Sequence, residues 1–333
     1  IEQLVLATDS ISHRGPDDSG ANIVSHSPFV AFGHRRLSII DLSKAGHQPM
    51  ANHDESLWIV YNGEIYNYLS IRRELEDRGH RFKSDTDTEV ILYAYQEWGD
   101  TCLDRLNGMF AFAIWDDRHK RLFAARDRLG IKPFYYAVTD HGLVFASEIK
   151  AIFASGLVKP EVDWNVMHNP WRFQISPNTG FRSVQKLPPG NQLTFHDGKQ
   201  RIQSYWDIQA SEDPVDESEA IEQVESLLDD AVEMQMIADV PIGAFLSGGL
   251  DSSSIVALMA KRTSHPIRTF TIDFAEQDRR FEAMPDDSRY AAEVAKLFGC
   301  EHQELVISPD IVDLLPKVIW HMDEPLSDPA AVN

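Results

Sequence analysis

The chain has 333 residues, 43% of them hydrophobic and 25% charged, the balance of an ordinary globular protein. Two domains are expected at this length rather than one. The formal net charge of −21 argues against a nucleic-acid backbone or an anionic membrane as main partner, and no stretch approaches the roughly 20 apolar residues of a membrane span.

In chain order, the first expected element is a helix over 1–7, entered partway through. With no initiator Met before it and no closing element after Asn333, both ends read as cut. The start lacks the basic residues and the small-residue cleavage site of a signal peptide. The run 57–61 predicts a strand, and Asn67 predicts the cap of a helix that reaches Arg78 and stops at Gly79. Residues 88–98 repeat apolar positions at helical spacing, with Val90, Ile91 and Trp98 on the pattern. Short apolar runs at 109–115, 122–125, 134–137 and 143–146, separated by charged or glycine turns, predict a sheet. Leu187-Pro188-Pro189-Gly190 then turns into a further strand at 192–195.

The acidic, proline-containing stretch 211–217 has no packing pattern and is the expected linker. Beyond it the rhythm changes. An amphipathic helix over 219–238 leads into strands at 240–246, 267–274 and 304–307, alternating with helices at 253–259, 288–298 and 311–320. Such alternation predicts a parallel, doubly wound sheet with ligands outside the carboxyl ends of its strands. The expected division is a first domain over 1–206, a linker over 207–218 and a second domain over 219–333. Only Cys102 and Cys300 occur, so there is no disulfide framework and a reducing cytoplasm fits.

Residues Ser247-Gly248-Gly249-Leu250-Asp251-Ser252 carry the most chemistry. Strand, glycine turn and helix start point several N–H groups and the positive helix end at one spot, a seat for phosphate. The Asp251 carboxylate would repel bare phosphate, so a divalent cation between them is the natural reading. The Walker pattern fails because its lysine is missing. What remains is the pyrophosphate loop of enzymes that split ATP into AMP and pyrophosphate. A Gly-Gly pair alone would also serve an ordinary turn.

Further motifs follow in collinear order. They are His13-Arg14-Gly15-Pro16-Asp17-Asp18, the run from Gly33 through His34, Arg35 and Arg36 to Asp41, and Tyr61-Asn62-Gly63-Glu64-Ile65-Tyr66-Asn67. Ser84-Asp85-Thr86-Asp87-Thr88-Glu89, the run from Arg126 to Pro133, and Asp323-Glu324-Pro325 complete them. Together with the Ser247 loop, these motifs resemble the glutamine-hydrolysing asparagine synthetase family over nearly the whole chain.

The resemblance implies an α+β front domain, an αββα sandwich of the N-terminal-nucleophile hydrolase type, followed by an α/β doubly wound parallel-sheet ATP-pyrophosphatase domain. It implies a cysteine as first residue of the mature protein, upstream of Ile1, which attacks the glutamine amide with its own α-amine as base. Cys102 and Cys300 read as structural instead. Arg36 would hold the glutamine α-carboxylate, for which a guanidinium is suited. Glu64 and Asp87 would take the substrate ammonium. Asn62 and the Gly63 N–H would stabilise the tetrahedral oxyanion. Arg36 could equally be a surface ion pair, and Asn62-Gly63 a hairpin turn, since Asn-Gly is a strong turn signal. His13, His34 and His47 lack the ligand spacing of a metal site and read as structural.

In the second domain the resemblance implies ATP and Mg2+. Ser247, Gly248, Gly249, Asp251 and Ser252 would hold pyrophosphate and metal, and Leu246 and Ile272 would border the adenine. Ile272 fits a core position nearly as well. Glu324 would remove a proton from the attacking ammonium and Asp328 would assist magnesium, although a solvated acidic loop reads the same way. The implied partners are glutamine, a carboxylate acceptor with aspartate first, and a second copy of the chain. Three other readings stand beside this one: amidation of a different, pathway-specific carboxylate, a glutaminase-dead relative closing an internal amide, and a non-enzymatic protein that kept the fold. Intact Arg36, Asn62, Glu64 and Asp87 argue against the second of these, and the complete Ser247 loop argues against the third.

Overall fold

The computed structural model describes residues 1–168, 174–211, 214–274, 287–308 and 311–324. Its contacts form two units, one of Ile1–Gln209 with the stretch that begins at Ile319, the other running from Ala210 to Val318. The first break falls inside the expected linker. Assignment of the stretch from Ile319 to the first unit is not legible in the sequence division.

The first unit opens with α1 (Glu2–Asp9), β1 (Asp18–His26), β2 (Phe29–Arg36), β3 (Met50–Ala51) and β4 (Leu57–Ile65). Next come α2 (Tyr68–Asp77), α3 (Asp87–Trp98), β5 (Gly108–Asp116), β6 (Arg121–Arg126), β7 (Tyr135–Thr139) and β8 (Gly142–Ala146). It continues with α4 (Ile149–Ala154), α5 (Trp164–Met167), β9 (Gln185–Lys186), β10 (Asn191–His196) and β11 (Lys199–Ser204). Six strands pair in the order β11-β10-β6-β5-β4-β3, β1 pairs with β2, and β8-β7-β9 make a third sheet.

Alternation along β4 decides the layering, because successive side chains point to opposite faces. Val60 faces one way and packs with Ala111, Ala113 and Trp115 of β5, Leu122 and Ala124 of β6, Phe32 of β2, and Tyr136 of β7. Tyr61 faces the other way, toward α3, whose first residue it reaches through its hydroxyl. On that side α3 packs on β4 and α2 on α3. On the far side α1 packs on β2 and α4 on β8, while α1 and α4 pack on each other. The result is helices, sheet, sheets, helices: the expected αββα sandwich. Phe32, Phe110, Phe112 and Phe123 are fully buried, each contributing roughly 2–3 kcal/mol of apolar burial.

Two local expectations change. The runs at 109–125 and 134–146 do not share a sheet, because Phe134 and Tyr136 pack against the six-stranded sheet from the layer facing it. Asn67 stands at the N-cap of α2 without a side-chain bond to it. Its amide instead donates to Arg105 O and accepts from Asn107 N–H. The α3 helix is capped by the Thr86 hydroxyl, which accepts from Glu89 N–H at 3.2 Å.

In the second unit α6 (Glu217–Gln235) precedes β12 (Gly243–Phe245), α7 (Leu250–Arg262), β13 (Arg268–Phe274), α8 (Asp287–Phe298), β14 (Glu301–Ile307) and the start of α9 (Ile311–Met322), whose residues from Ile319 on belong to the first unit. The three strands are parallel, in the order β12-β13-β14. Two clusters close over them: Val232 with Leu258, Met259 and Ile267, and Leu246 with Val256, Ala291 and Ala295. The parallel sheet is as expected. A doubly wound sheet also reverses its strand order, and the described strands run in one direction only. Among the described residues no helix is long and apolar enough to cross a membrane.

Candidate active sites

Period 2 on β4 puts Asn62 and Glu64 on the face shared with Val60, toward the second sheet. There the first unit holds a cavity of about 840 Å3, lined by Arg36, Asn62, Gly63, Glu64, Asp87 and Lys132 among others. The expected glutamine-binding residues therefore converge, from β2, β4 and the start of α3. Asn62 and Gly63 are not a hairpin turn: they lie mid-strand, paired with Ala111 and Phe110 of β5. A Cβ on Gly63 would overlap the Met109 carbonyl oxygen and lie 2.7 Å from Phe110 Cα, so only glycine fits against that backbone. Among the described residues the buried Asn62 side-chain nitrogen has no hydrogen-bond partner, a donor left over for an acceptor in the cavity.

Asp87 is 5% exposed. Its Oδ2 accepts from the Tyr61 hydroxyl at 2.7 Å and from Ile65 N–H at 2.9 Å. Burial pushes this carboxyl up, against the downward pull of those donors. Glu64 is also raised, first by burial and then by the Asp87 charge, with Lys132 opposing. Two carboxylates that resist ionisation together are relieved by a cation placed between them. Burial lowers Lys132 in turn. Lys132 is the residue that sequence reasoning left without a role, although it lies in the quoted run from Arg126 to Pro133.

Arg36 is buried, not a surface ion pair. Its Nη1 donates to Ser43 O at 2.9 Å, and its Nη2 to Ile40 O at 3.2 Å and Asp41 O at 2.5 Å. Three of a guanidinium's five donors thus organise the loop after β2, and the others remain for a carboxylate. The three histidines go separate ways. His13 pairs with Glu148 at 3.0 Å, His34 with Tyr61 O at 2.9 Å and His47 with Asp18 at 2.7 Å. Cys102 is fully buried, which pushes its thiol up and keeps it protonated; Cys300 is raised the same way.

In the second unit, the Ser247 loop joins β12 to α7. Gly249 is the N-cap of α7, and no side chain caps that first turn. Ser247 N–H donates to Ser252 Oγ at 3.3 Å, and Gly249 N–H to Ser247 Oγ at 3.4 Å. Gly248 has φ +76° and a Cβ there would overlap Tyr290, so the turn demands glycine. Asp251 is exposed in the first turn of α7. Free N–H groups with one adjacent carboxylate fit phosphate and magnesium, which favours one or two carboxylates plus phosphate oxygens. Among the described residues, no group of three or more His, Cys, Asp or Glu is placed to share a metal ion.

Leu246, expected at the adenine, stands directly after β12, just before the Ser247 loop. Its side chain is 1% exposed in the core under α7 and α8. Its N–H donates to Phe270 O at 2.9 Å, and its carbonyl accepts from the Thr271 hydroxyl. Ile272, on β13, is half-buried. Glu324 lies in the first unit, where Lys186 Nζ is 2.6 Å from Oε2 and Gly180 N–H donates to Oε1 at 2.7 Å. Beside it, Asp323 accepts from Ile149 N–H at 2.6 Å at the start of α4 and pairs with Lys150 at 3.0 Å. Both carboxylates are engaged as anchors for neighbouring segments of the first unit. Asp328 lies outside the described residues.

The glutamine amidotransferase domain family matches residues 2–206, and the asparagine synthase family matches residues 223–333. Glutamine-hydrolysing asparagine synthetase 3 of Bacillus subtilis (strain 168) is 41% identical over 332 residues, covering 96% of this chain and 53% of the relative. A putative glutamine-hydrolysing asparagine synthetase 2 of Methanocaldococcus jannaschii is 36% identical, covering 98% and 66%. The amidase chry2 of Gibberella zeae is 33% identical, covering 98% and 50%. Among solved structures, the glutamine phosphoribosylpyrophosphate amidotransferase of B. subtilis aligns with TM-score 0.48 and 16% identity over 92% of this chain and 78% of that one. The chain spans about half to two thirds of the length of these curated relatives. With both families matched in order along it, the chain belongs to the glutamine-hydrolysing asparagine synthetase family, a glutamine amidotransferase domain joined to an asparagine synthase domain.

Proposed function

We propose that this protein is an ATP-dependent amidotransferase that releases ammonia from glutamine and uses it to amidate an adenylated carboxylate, with aspartate as acceptor and asparagine as product. The observation that carries this reading is the convergence of Arg36, Asn62, Gly63, Glu64 and Asp87 on one cavity. Glu64 and Asp87 would hold the glutamine ammonium, and the remaining donors of Arg36 its carboxylate. Asn62 and the Gly63 N–H would meet the oxyanion as charge develops on the amide oxygen. The nucleophile implied by the resemblance, a cysteine upstream of Ile1, is not among these residues.

In the second half-reaction, the N-terminal N–H groups of α7 with Ser247, Gly248, Gly249 and Ser252 would seat the departing pyrophosphate of ATP, and Asp251 would hold magnesium against it. That ion, when bound, neutralises charge on the leaving group. Asp328 as a second magnesium contact and Ile272 beside the adenine belong to the same proposal. A general-base role for Glu324 would require it to leave Lys186 and Gly180. Free Cys102 and Cys300 support a cytoplasmic location; a homodimer rests on the resemblance alone.

A second reading is favoured by one finding. Amidases chry2 and chyE cover this chain as fully as the asparagine synthetases do, so a different carboxylate could stand in aspartate's place. The test is glutamine-dependent pyrophosphate release by the full-length enzyme. Saturable release with aspartate, yielding asparagine, supports the first reading. Release only with another carboxylate moves the acceptor and leaves both half-reactions standing.

A further inference from the structure

Strand β4 loses a neighbour just where the glutamine cavity begins. On the edge away from β5 it is paired by β3 only at Trp58 and Ile59. At Tyr61 no strand among the described residues continues on that edge, yet neither backbone group there is left open. Tyr61 N–H donates to Gln48 Oε1 at 2.7 Å. The Tyr61 carbonyl lies 2.9 Å from His34 Nε2. A carbonyl can only accept, so Nε2 carries the proton and Nδ1 is the bare nitrogen. Nδ1 is buried and has no partner, which agrees with that tautomer. Two side chains thus take the place of a strand, one on each backbone group of the residue that precedes Asn62.

The elements around this contact are themselves fixed. His34 shares with Phe32 and Arg36 the face of β2 turned toward β4, while Gly33 on the opposite face lies against Thr8 and Leu4 of α1. Gln48 is 5% exposed, and its amide nitrogen donates to Thr88 Oγ1 at 3.3 Å in the first turn of α3. The Tyr61 carbonyl belongs to the peptide plane shared with Asn62, so the ring that holds it sets the direction in which Asn62 leaves the strand. Burial also lowers His34 to about 4, keeping it neutral and in one tautomer through the physiological range.

We propose that His34 is a positioning residue for the glutamine site: through the Tyr61 carbonyl, with Gln48 on the N–H of the same residue, it fixes Asn62 and the Gly63 N–H in the direction the amide oxyanion requires. The inference rests on the glutaminase reading given above. It goes beyond it by assigning a role to a histidine that lines the cavity and acts through the Tyr61 carbonyl rather than on the reacting atoms. A displacement of the oxyanion donors by a fraction of an ångström lowers turnover far more than it lowers binding, because the donors work mainly on the transition state.

The test compares three variants of the full-length enzyme by glutamate release from glutamine and by ammonium-dependent pyrophosphate release. His34→Leu is expected to lower kcat for glutamine about 10²-fold with KM changed less than about threefold, and to keep ammonium-dependent activity. His34→Gln, whose amide nitrogen can occupy the place of Nε2, is expected to recover most of that kcat. Turnover of His34→Leu within about twofold of the parent overturns the proposal. So does an equal loss in His34→Gln, or a rise in KM without a fall in kcat. Asn62→Ala separates this from the underlying reading: if it leaves glutamine hydrolysis intact, the glutaminase site itself is misplaced and the proposal falls with it.

Discussion

The Tyr61 hydroxyl donates to Asp87 Oδ2 at 2.7 Å, tying the middle of β4 to the first residue of α3. Ile65 N–H shares the same oxygen at 2.9 Å, so one buried carboxylate fixes both ends of the segment carrying Asn62, Gly63 and Glu64. An acid at the N-terminus of α3 is also favoured by the helix dipole.

Tyr61→Phe removes one donor from a carboxylate that burial already pushes up. The expected cost is about 1–3 kcal/mol of stability, read as a lower midpoint in urea unfolding. The carboxyl should rise further in the variant, so the loss should be larger at neutral pH than near pH 4. An equal loss at both values would mean that Asp87 does not respond to Tyr61.

Glu64→Gln should separate stability from binding. Burial and the Asp87 charge raise the Glu64 carboxyl, so the folded state holds its proton more tightly than the unfolded state. Its ionisation therefore costs stability as pH rises from the ordinary carboxylate value through the raised one. The variant, with no charge to bury, should melt higher than the parent at neutral pH without ligand. It should also lose about 10-fold or more in apparent glutamine affinity, as one charged hydrogen bond to the ammonium disappears. In the parent, affinity should fall as pH drops through the raised carboxyl, and the variant should lack that component. A variant that melts no higher and binds as well would remove Glu64 from the ammonium site.

The Asn-Gly pair shows what could and could not be read from sequence. The motif marked both residues, but local turn preference pointed to a hairpin and the strand was expected to stop at Tyr61. Pairing with β5 overrides that preference and carries β4 to Ile65. Helix extents were legible where apolar positions repeat at helical spacing, as in α3. The split between the sheets was not, since a short apolar run looks the same whichever sheet it joins. The roles of His34 and Gln48 could not be read at all, because a strand edge held by side chains leaves no pattern along the chain.

Gly248→Ala should be poorly tolerated. The residue has φ +76° and any Cβ meets Tyr290 of α8, so the loop must shift away from its seat. Pyrophosphate release should fall at least 10-fold, with about 1–3 kcal/mol of lost stability confined to the second unit. Glutamate release from glutamine should be unchanged. Calorimetry and the two assays on one preparation check this, and full retention of pyrophosphate release would show that the loop's shape is not needed.

Glu324→Gln distinguishes an anchor from a base. With Lys186 and Gly180 N–H on its two oxygens, the anchor account predicts a loss of about 2 kcal/mol, from a lysine left without its counter-charge. Ammonium-dependent amide formation should survive below the lowered melting transition. Abolished synthesis in a variant as stable as the parent would make Glu324 a participant in the chemistry rather than an anchor.

The most direct test of the two-site account measures glutamate release and ammonium-dependent pyrophosphate release, side by side, in Asn62→Ala and Asp251→Asn of the full-length enzyme. Asn62→Ala should lose about 10²–10³-fold in glutamine turnover while releasing pyrophosphate with ammonium as the parent does. Asp251→Asn should show the reverse, because on the proposed reading its carboxylate would hold magnesium against pyrophosphate. Loss of both activities in either folded variant would contradict the account.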